Sequence, residues 1–157
     1  MAARKAVAVQ QVTLALLKPD LLANPEFVKS IVTEISSNRH GISILRRKTV
    51  FWSQEQARLF YAEHRGRFFY DRLVRYMTSG PFEALALAGP GSISWWRQEM
   101  GSTHPARMRI TNPLCLRARY GLTDTRNSFH GSDSPESALR ELSLIFGSSE
   151  SSLFQLQ

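Results

Sequence analysis

Short apolar runs that alternate with helical periodicity at close spacing constrain this chain more than any other feature. Residues 12–17, VTLALL, are halted by Lys18-Pro19-Asp20, the pattern of a central strand that ends at a loop and leaves Lys18 at its exit. From Pro25 the apolar residues Phe27, Ile31, Val32 and Ile35 recur every three to four positions, which predicts an amphipathic helix with Asn24 as N-cap and Pro25 in its first position. Gly41 follows, residues 42–51 predict a strand, and Ser53 with Gln56 has the capping-box spacing for a helix through Tyr61. Phe69, Leu73, Tyr76 and Met77 share a helical face that Gly80-Pro81 closes. FEALALAG predicts a strand, residues 92–100 a short helix, residues 101–116 a long polar loop and residues 117–122 a last strand. Ser134-Pro135-Glu136 opens a helix whose Leu139, Leu142, Ile145 and Phe146 share a face. Strands interleaved with helices in so short a chain predict a small α+β sandwich, its helices against one main face.

At 157 residues the chain suits one domain with a real core. Cys115 is the only cysteine, which excludes an internal disulfide and a multi-cysteine metal site. The net charge of +7 favours an anionic partner: nucleotide, nucleic acid or a charged lipid surface. No apolar run approaches the ~20 residues of a membrane span. MAARKAVAVQQ carries Arg4 and Lys5 and faintly has the look of an organelle-targeting segment, but it does not read as a secretory signal. The expectation is an intracellular protein, cytoplasmic or mitochondrial and not secreted. The organisation expected is a short lead at 1–11, one domain at 12–147 and a serine-rich, flexible tail at 148–157.

TRNSFHGSDS, residues 125–134, sets His130 just before a helix N-terminus, where free N–H groups and the helix dipole favour an anion. Glu141, seven residues beyond the cap Ser134, leans back along that helix toward its start. It is placed to orient the imidazole, with the Ser132 hydroxyl between them, as an activated nucleophile requires. No G-x-x-x-x-G-K-[ST] occurs, which disfavours a P-loop, and Gly89-Pro90-Gly91 lacks the lysine and hydroxyl of one. His40, His64 and His104 fall in no ligand-spaced pair and read as surface histidines.

K-P-D, N-x-x-H-G-S-D and the helix glutamate together resemble the nucleoside diphosphate kinase family over residues 12–146. The resemblance implies a ferredoxin-like βαββαβ sandwich with an antiparallel sheet covered by helices. It implies phosphoryl transfer from a nucleoside triphosphate to a nucleoside diphosphate through a phosphohistidine at His130, with Ser132 and Glu141 behind it. Lys18 resembles the phosphate-contacting lysine and Tyr61 the tyrosine beside it. Phe69 and Leu73 resemble the pair that clamps the base. Arg97, Thr103 and Arg117 resemble the phosphate ligands, and Asn127 the amide that holds the ribose 3′-hydroxyl. Magnesium would arrive bridging the phosphates of ATP or another triphosphate, with no protein-held metal. Taken singly, each residue has an ordinary alternative: Phe69, Leu73 and Tyr61 as core, Lys18, Arg97 and Arg117 as surface charges, Thr103 as a turn hydroxyl.

Some features depart from the common family form. The 103–117 loop is a few residues longer, the C-terminus lacks the usual aromatic tail, and Asp124 replaces a small apolar residue near the base. With ARYGLTDTRN and EHRGRFFYDRL they resemble the family's divergent branch that includes type 6. A monomer or small oligomer is then expected rather than a hexamer. Two further readings stay open: a nucleotide-binding module that works with a protein partner and has little activity alone, and, ranked behind it, a basic nucleic-acid binder.

Overall fold

Strand β1, Gln10–Leu17, is buried on both sides over nearly its whole length, and so is β3, Phe82–Pro90. The two pair antiparallel, with Leu14 opposite Ala86 and Leu17 opposite Glu83. β2, Ser43–Val50, adds to the free edge of β3, and the three-residue β4, Phe129–Gly131, adds to β1 so that His130 lies opposite Leu16. The sheet is wholly antiparallel, in the order β2-β3-β1-β4. This computed structural model describes residues 9–37 and 39–155. Most of the 1–11 lead and the last two residues of the tail lie outside them.

Nine helices occur among the described residues: α1 Pro19–Leu22, α2 Pro25–Ser36, α3 Gln54–Phe60, α4 Tyr70–Met77, α5 Ser92–Met100, α6 Pro105–Thr111, α7 Leu116–Tyr120, α8 Pro135–Phe146 and α9 Ser151–Phe154. The caps read from the sequence are in place. Asn24 accepts from the Glu26 N–H, Ser53 and Gln56 close a capping box, and Ser134 accepts from the Ser137 N–H.

Helices cover both faces of the sheet, not one. Leu14 and Leu16 pack with Phe60, Val74, Met77 and Leu142 on one side, while Ala15 and Leu17 pack with Ile31, Ile35, Trp96 and Phe129 on the other. Alternate residues of a strand point to opposite faces, so an unbroken apolar run such as residues 12–17 needs cover on both. Two segments differ from the sequence reading. Residues 101–116 hold α6, which starts at Pro105, and residues 116–120 form α7 where a strand was expected. The last strand is β4 instead, too short for a periodic signal. At the tail, Phe154 is buried and lies 5.9 Å, centroid to centroid, from Phe146. No helix among the described residues is long and apolar enough to cross a membrane.

Candidate active site

The loops at the Leu17 end of β1 are stitched to the segment that leads into β4. The Lys18 N–H donates to the Ser128 carbonyl at 2.9 Å, and the Ser128 hydroxyl donates to Asp20. Ser128 has φ +72°, a left-handed conformation unusual for a residue with a Cβ, and these two contacts hold it there. The Lys18 ammonium donates to Asn127 Oδ1 at 3.0 Å, while Asn127 Nδ2 donates to the Asp124 carbonyl at 2.9 Å. K-P-D and R-N-x-x-H, more than a hundred residues apart, thus form one unit.

His130 leaves this unit on β4. Its carbonyl accepts from Trp96 Nε1 at 2.9 Å, and its ring meets the edges of Phe60 and Tyr61 at 5.3 and 6.4 Å. Nε2 lies 2.7 Å from Glu141 Oε2, and Nδ1 has no hydrogen-bond partner among the described residues. Glu141 is buried on α8, and the Ser132 hydroxyl donates to the same Oε2 at 3.2 Å. Ser132 therefore does not bridge histidine and glutamate. Its hydroxyl also accepts from the Leu14 N–H at 3.2 Å, which fixes the carboxylate to the central strand.

Lys18, Tyr61, Phe69, Leu73, Thr103, Arg117, Asn127 and His130 line one cleft of about 430 Å³. Arg97 and Glu141 line an adjoining hollow of about 740 Å³ that shares Thr103, Arg117 and His130. Every residue to which the resemblance assigns a role borders these two spaces except Ser132, which lies fully buried behind them.

Lys18 and Arg117 are strongly perturbed. Burial, reinforced by Arg117, lowers the Lys18 pKa to about 7 against a partly offsetting Asp20. Burial and the nearby Arg97 bring Arg117 down to about 10. Its guanidinium is braced by the Gly101 and Phe129 carbonyls at 2.6 and 3.0 Å, while its buried Nε is unpaired among the described residues. The Tyr61 hydroxyl is likewise buried without a partner, and burial followed by the Glu141 charge pushes its pKa up. Crowded, desolvated cations of this kind are relieved by an anion.

The sequence reading gave no role in the site to His64, His104 or Asp133, and all three line it. His64 borders both spaces, stacked on Tyr61 at 6.2 Å and edge-on to Phe69 at 5.4 Å. His104 pairs with Asp124 at 3.2 Å on the cleft wall. Asp133 borders the larger hollow, and hydrogen bonds from Ser137 hold its carboxyl below the usual range. Of the surface histidines expected, two line the site.

Comparison with known proteins agrees with this geometry. A family model described as nucleoside diphosphate kinase matches residues 11–151. Nucleoside diphosphate kinase 6 of Danio rerio is 46% identical over 142 residues, 90% of this chain and 79% of the relative. Its Homo sapiens counterpart is 46% identical over 136 residues, 87% of this chain and 72% of the relative. Among solved structures, the Aquifex aeolicus nucleoside diphosphate kinase superposes with a TM-score of 0.84 at 34% identity, covering 90% of this chain and 99% of that one. The Halobacterium salinarum enzyme, solved in complex with CDP, gives 0.80 at 30%, covering 90% and 91%. The antiparallel sheet order and helix cover are those of the ferredoxin-like α+β fold. With its resemblance to type 6 carried over most of its length, the chain belongs to the nucleoside diphosphate kinase family.

Proposed function

We propose that this chain moves a γ-phosphoryl group from a nucleoside triphosphate to a nucleoside diphosphate by way of a phosphohistidine at His130. The observation that carries the reading is the 2.7 Å contact of His130 Nε2 with the buried Glu141, which leaves Nδ1 unpartnered on the cleft lining. With the proton on Nε2 donated to Glu141, Nδ1 bears the lone pair. Nδ1 attacks the γ-phosphorus, the bond from that phosphorus to the bridging oxygen breaks, and the diphosphate departs with the electron pair. Positive charge that develops on the ring is met by the Glu141 carboxylate. The second half-reaction runs in reverse, with a terminal phosphate oxygen of the incoming diphosphate taking the phosphoryl group from Nδ1.

Lys18, Arg97, Arg117 and the Thr103 hydroxyl meet the phosphates, where catalysis of this kind consists chiefly of positioning and charge neutralisation. Phe69 and Leu73 grip the base and Asn127 the sugar, its second Nδ2 proton being free of the Asp124 contact. The groups assigned to the phosphates, Lys18, Arg97, Arg117 and Thr103, are three cations and a hydroxyl with no carboxylate among them. They suit magnesium that enters as part of the nucleotide substrate. The same reading includes a monomer or small oligomer in an intracellular compartment, and a nucleotide-binding module that works with a protein partner is its alternative.

Intact-mass measurement after mixing with Mg·ATP tests the mechanism. One acid-labile phosphate is expected on the wild type and none on His130→Ala. Retained labelling of that variant would overturn the assignment. Nucleotide binding without any labelling of the wild type would favour the partner-module reading.

A further inference from the structure

The Phe69 and Leu73 grip on the base is apolar and carries no hydrogen-bonding information, yet the same cleft holds a carboxylate that the phosphate and sugar contacts leave unused. Asp124 lines it, and His104 Nδ1 lies 3.2 Å from Asp124 Oδ1. The two come from different segments, one just before α6 and one from the loop before β4. Their meeting engages one oxygen of a carboxylate that stays largely exposed, leaving Oδ2 unpaired among the described residues. The backbone beneath it is anchored: the Asp124 carbonyl accepts from Asn127 Nδ2 at 2.9 Å. Because Asn127 is the residue assigned to the sugar, the carboxylate sits one short loop from the ribose, on the wall where an attached base must lie.

We propose that Asp124, steered by His104, reads the edge of the base and gives the cleft a preference for guanine nucleotides; this rests on the reading of the cleft as a nucleotide site. An ionised carboxylate only accepts hydrogen bonds. Guanine alone among the common bases presents two adjacent donors, N1–H and N2–H, which match the two oxygens of a carboxylate. Adenine sets the acceptor N1 beside its amino group, cytosine sets N3 beside its own, and uracil flanks one N–H with two carbonyls. Each of those brings an acceptor against Asp124. A bidentate contact of this kind discriminates by about tenfold or more, and an unpaired acceptor facing the carboxylate widens the gap.

The experiment is calorimetric binding of GDP and ADP to the unphosphorylated chain, with wild type, Asp124→Asn and His104→Gln. Wild type should bind GDP at least about tenfold more tightly than ADP. Asp124→Asn supplies a donor beside an acceptor, the complement of the adenine edge, and should shift the ratio toward ADP, a swap that general damage to the fold would not produce. His104→Gln should narrow the ratio in the same direction. Equal affinities in the wild type, or a loss in Asp124→Asn shared equally by both nucleotides, would overturn the base reading and leave the phosphohistidine mechanism untouched. Failure to bind either nucleotide would overturn both. Binding with the expected preference but without labelling by Mg·GTP would support this inference and count against the mechanism.

Discussion

Lys18 is an ammonium group in a buried setting with one hydrogen-bond acceptor, Asn127 Oδ1, and the Tyr76 ring 5.7 Å from Nζ. With its pKa near 7 in the free protein, most Lys18 side chains are neutral at pH 8.5, and a bound phosphate draws the proton back. Nucleotide binding at pH 8.5 should therefore take up close to one proton per site. A terminal phosphate ionises near ~6 and does not contribute there. Titration calorimetry in buffers of different ionisation enthalpy measures the uptake, which Lys18→Met should abolish. Equal uptake in the variant would assign the proton elsewhere. The same shift sets a stability trend: the folded pKa lies below the unfolded 10.5, so the unfolded chain binds more protons between about 7 and 10.5 and stability falls as pH drops through that window. At this scale the sequence was informative wherever a motif names its neighbours, as K-P-D and N-x-x-H-G-S-D do. It was silent on His104 with Asp124 and on His64, because contacts between residues many positions apart leave no local periodicity and a lone histidine resembles a surface one.

Among the elements, β4 is shortest and holds His130, the proposed phosphate carrier, so its placement depends on what packs behind it. A Cβ on Gly131 would come within 2.5 Å of Trp96 Cδ1 and 2.6 Å of Met100 Cε on α5, the helix whose Trp96 indole N–H also fixes the His130 carbonyl. The glycine of H-G-S-D lets α5 close on the strand. Gly131→Ala should destabilise the chain by about 1–3 kcal/mol, as overpacking does, and slow phosphohistidine formation by moving His130. Gly80→Ala, which meets only Pro19 Cβ at 3.7 Å, is the control. Urea melts that show equal loss in the two variants would refute the packing argument. Helix starts were legible because caps are local: Asn24-Pro25, Ser53 with Gln56 and Ser134-Pro135 each announce an N-terminus. His104-Pro105 carried the proline signal as well, but with no capping oxygen before it and a polar run behind it, α6 read as loop. LRARY, five residues long, is too short to separate helical from strand period, and α7 was read as a strand.

For the whole molecule, the open question is how a chain of net charge +7 associates. The sheet has two edge strands, the three-residue β4 and the longer β2, and β2 carries Arg46, Arg47 and Lys48 in succession, all exposed. Arg46 pairs with Glu150, and Arg47 with Glu83, but both arginine side chains remain nearly half exposed. If two such edges paired with each other about a twofold axis, these runs would be set side by side, an arrangement that like charges disfavour. The segment that holds α6 exposes Ile110 and Leu114, but its other side chains include Arg107 and Arg109, so the apolar surface there is broken by charge. A stable interface needs upwards of ~1,000 Å² of complementary surface, and charge interrupts both regions where a second copy would have to dock. The chain should therefore run as a monomer or small oligomer in light scattering at low ionic strength. Added salt screens the β2 cations within a Debye length of about 8–10 Å and should increase association, whereas an acidic partner would be released by the same change. A hexamer at low salt that stays intact as salt rises would show that apolar contacts overcome the charge, and would overturn this reading of the surface.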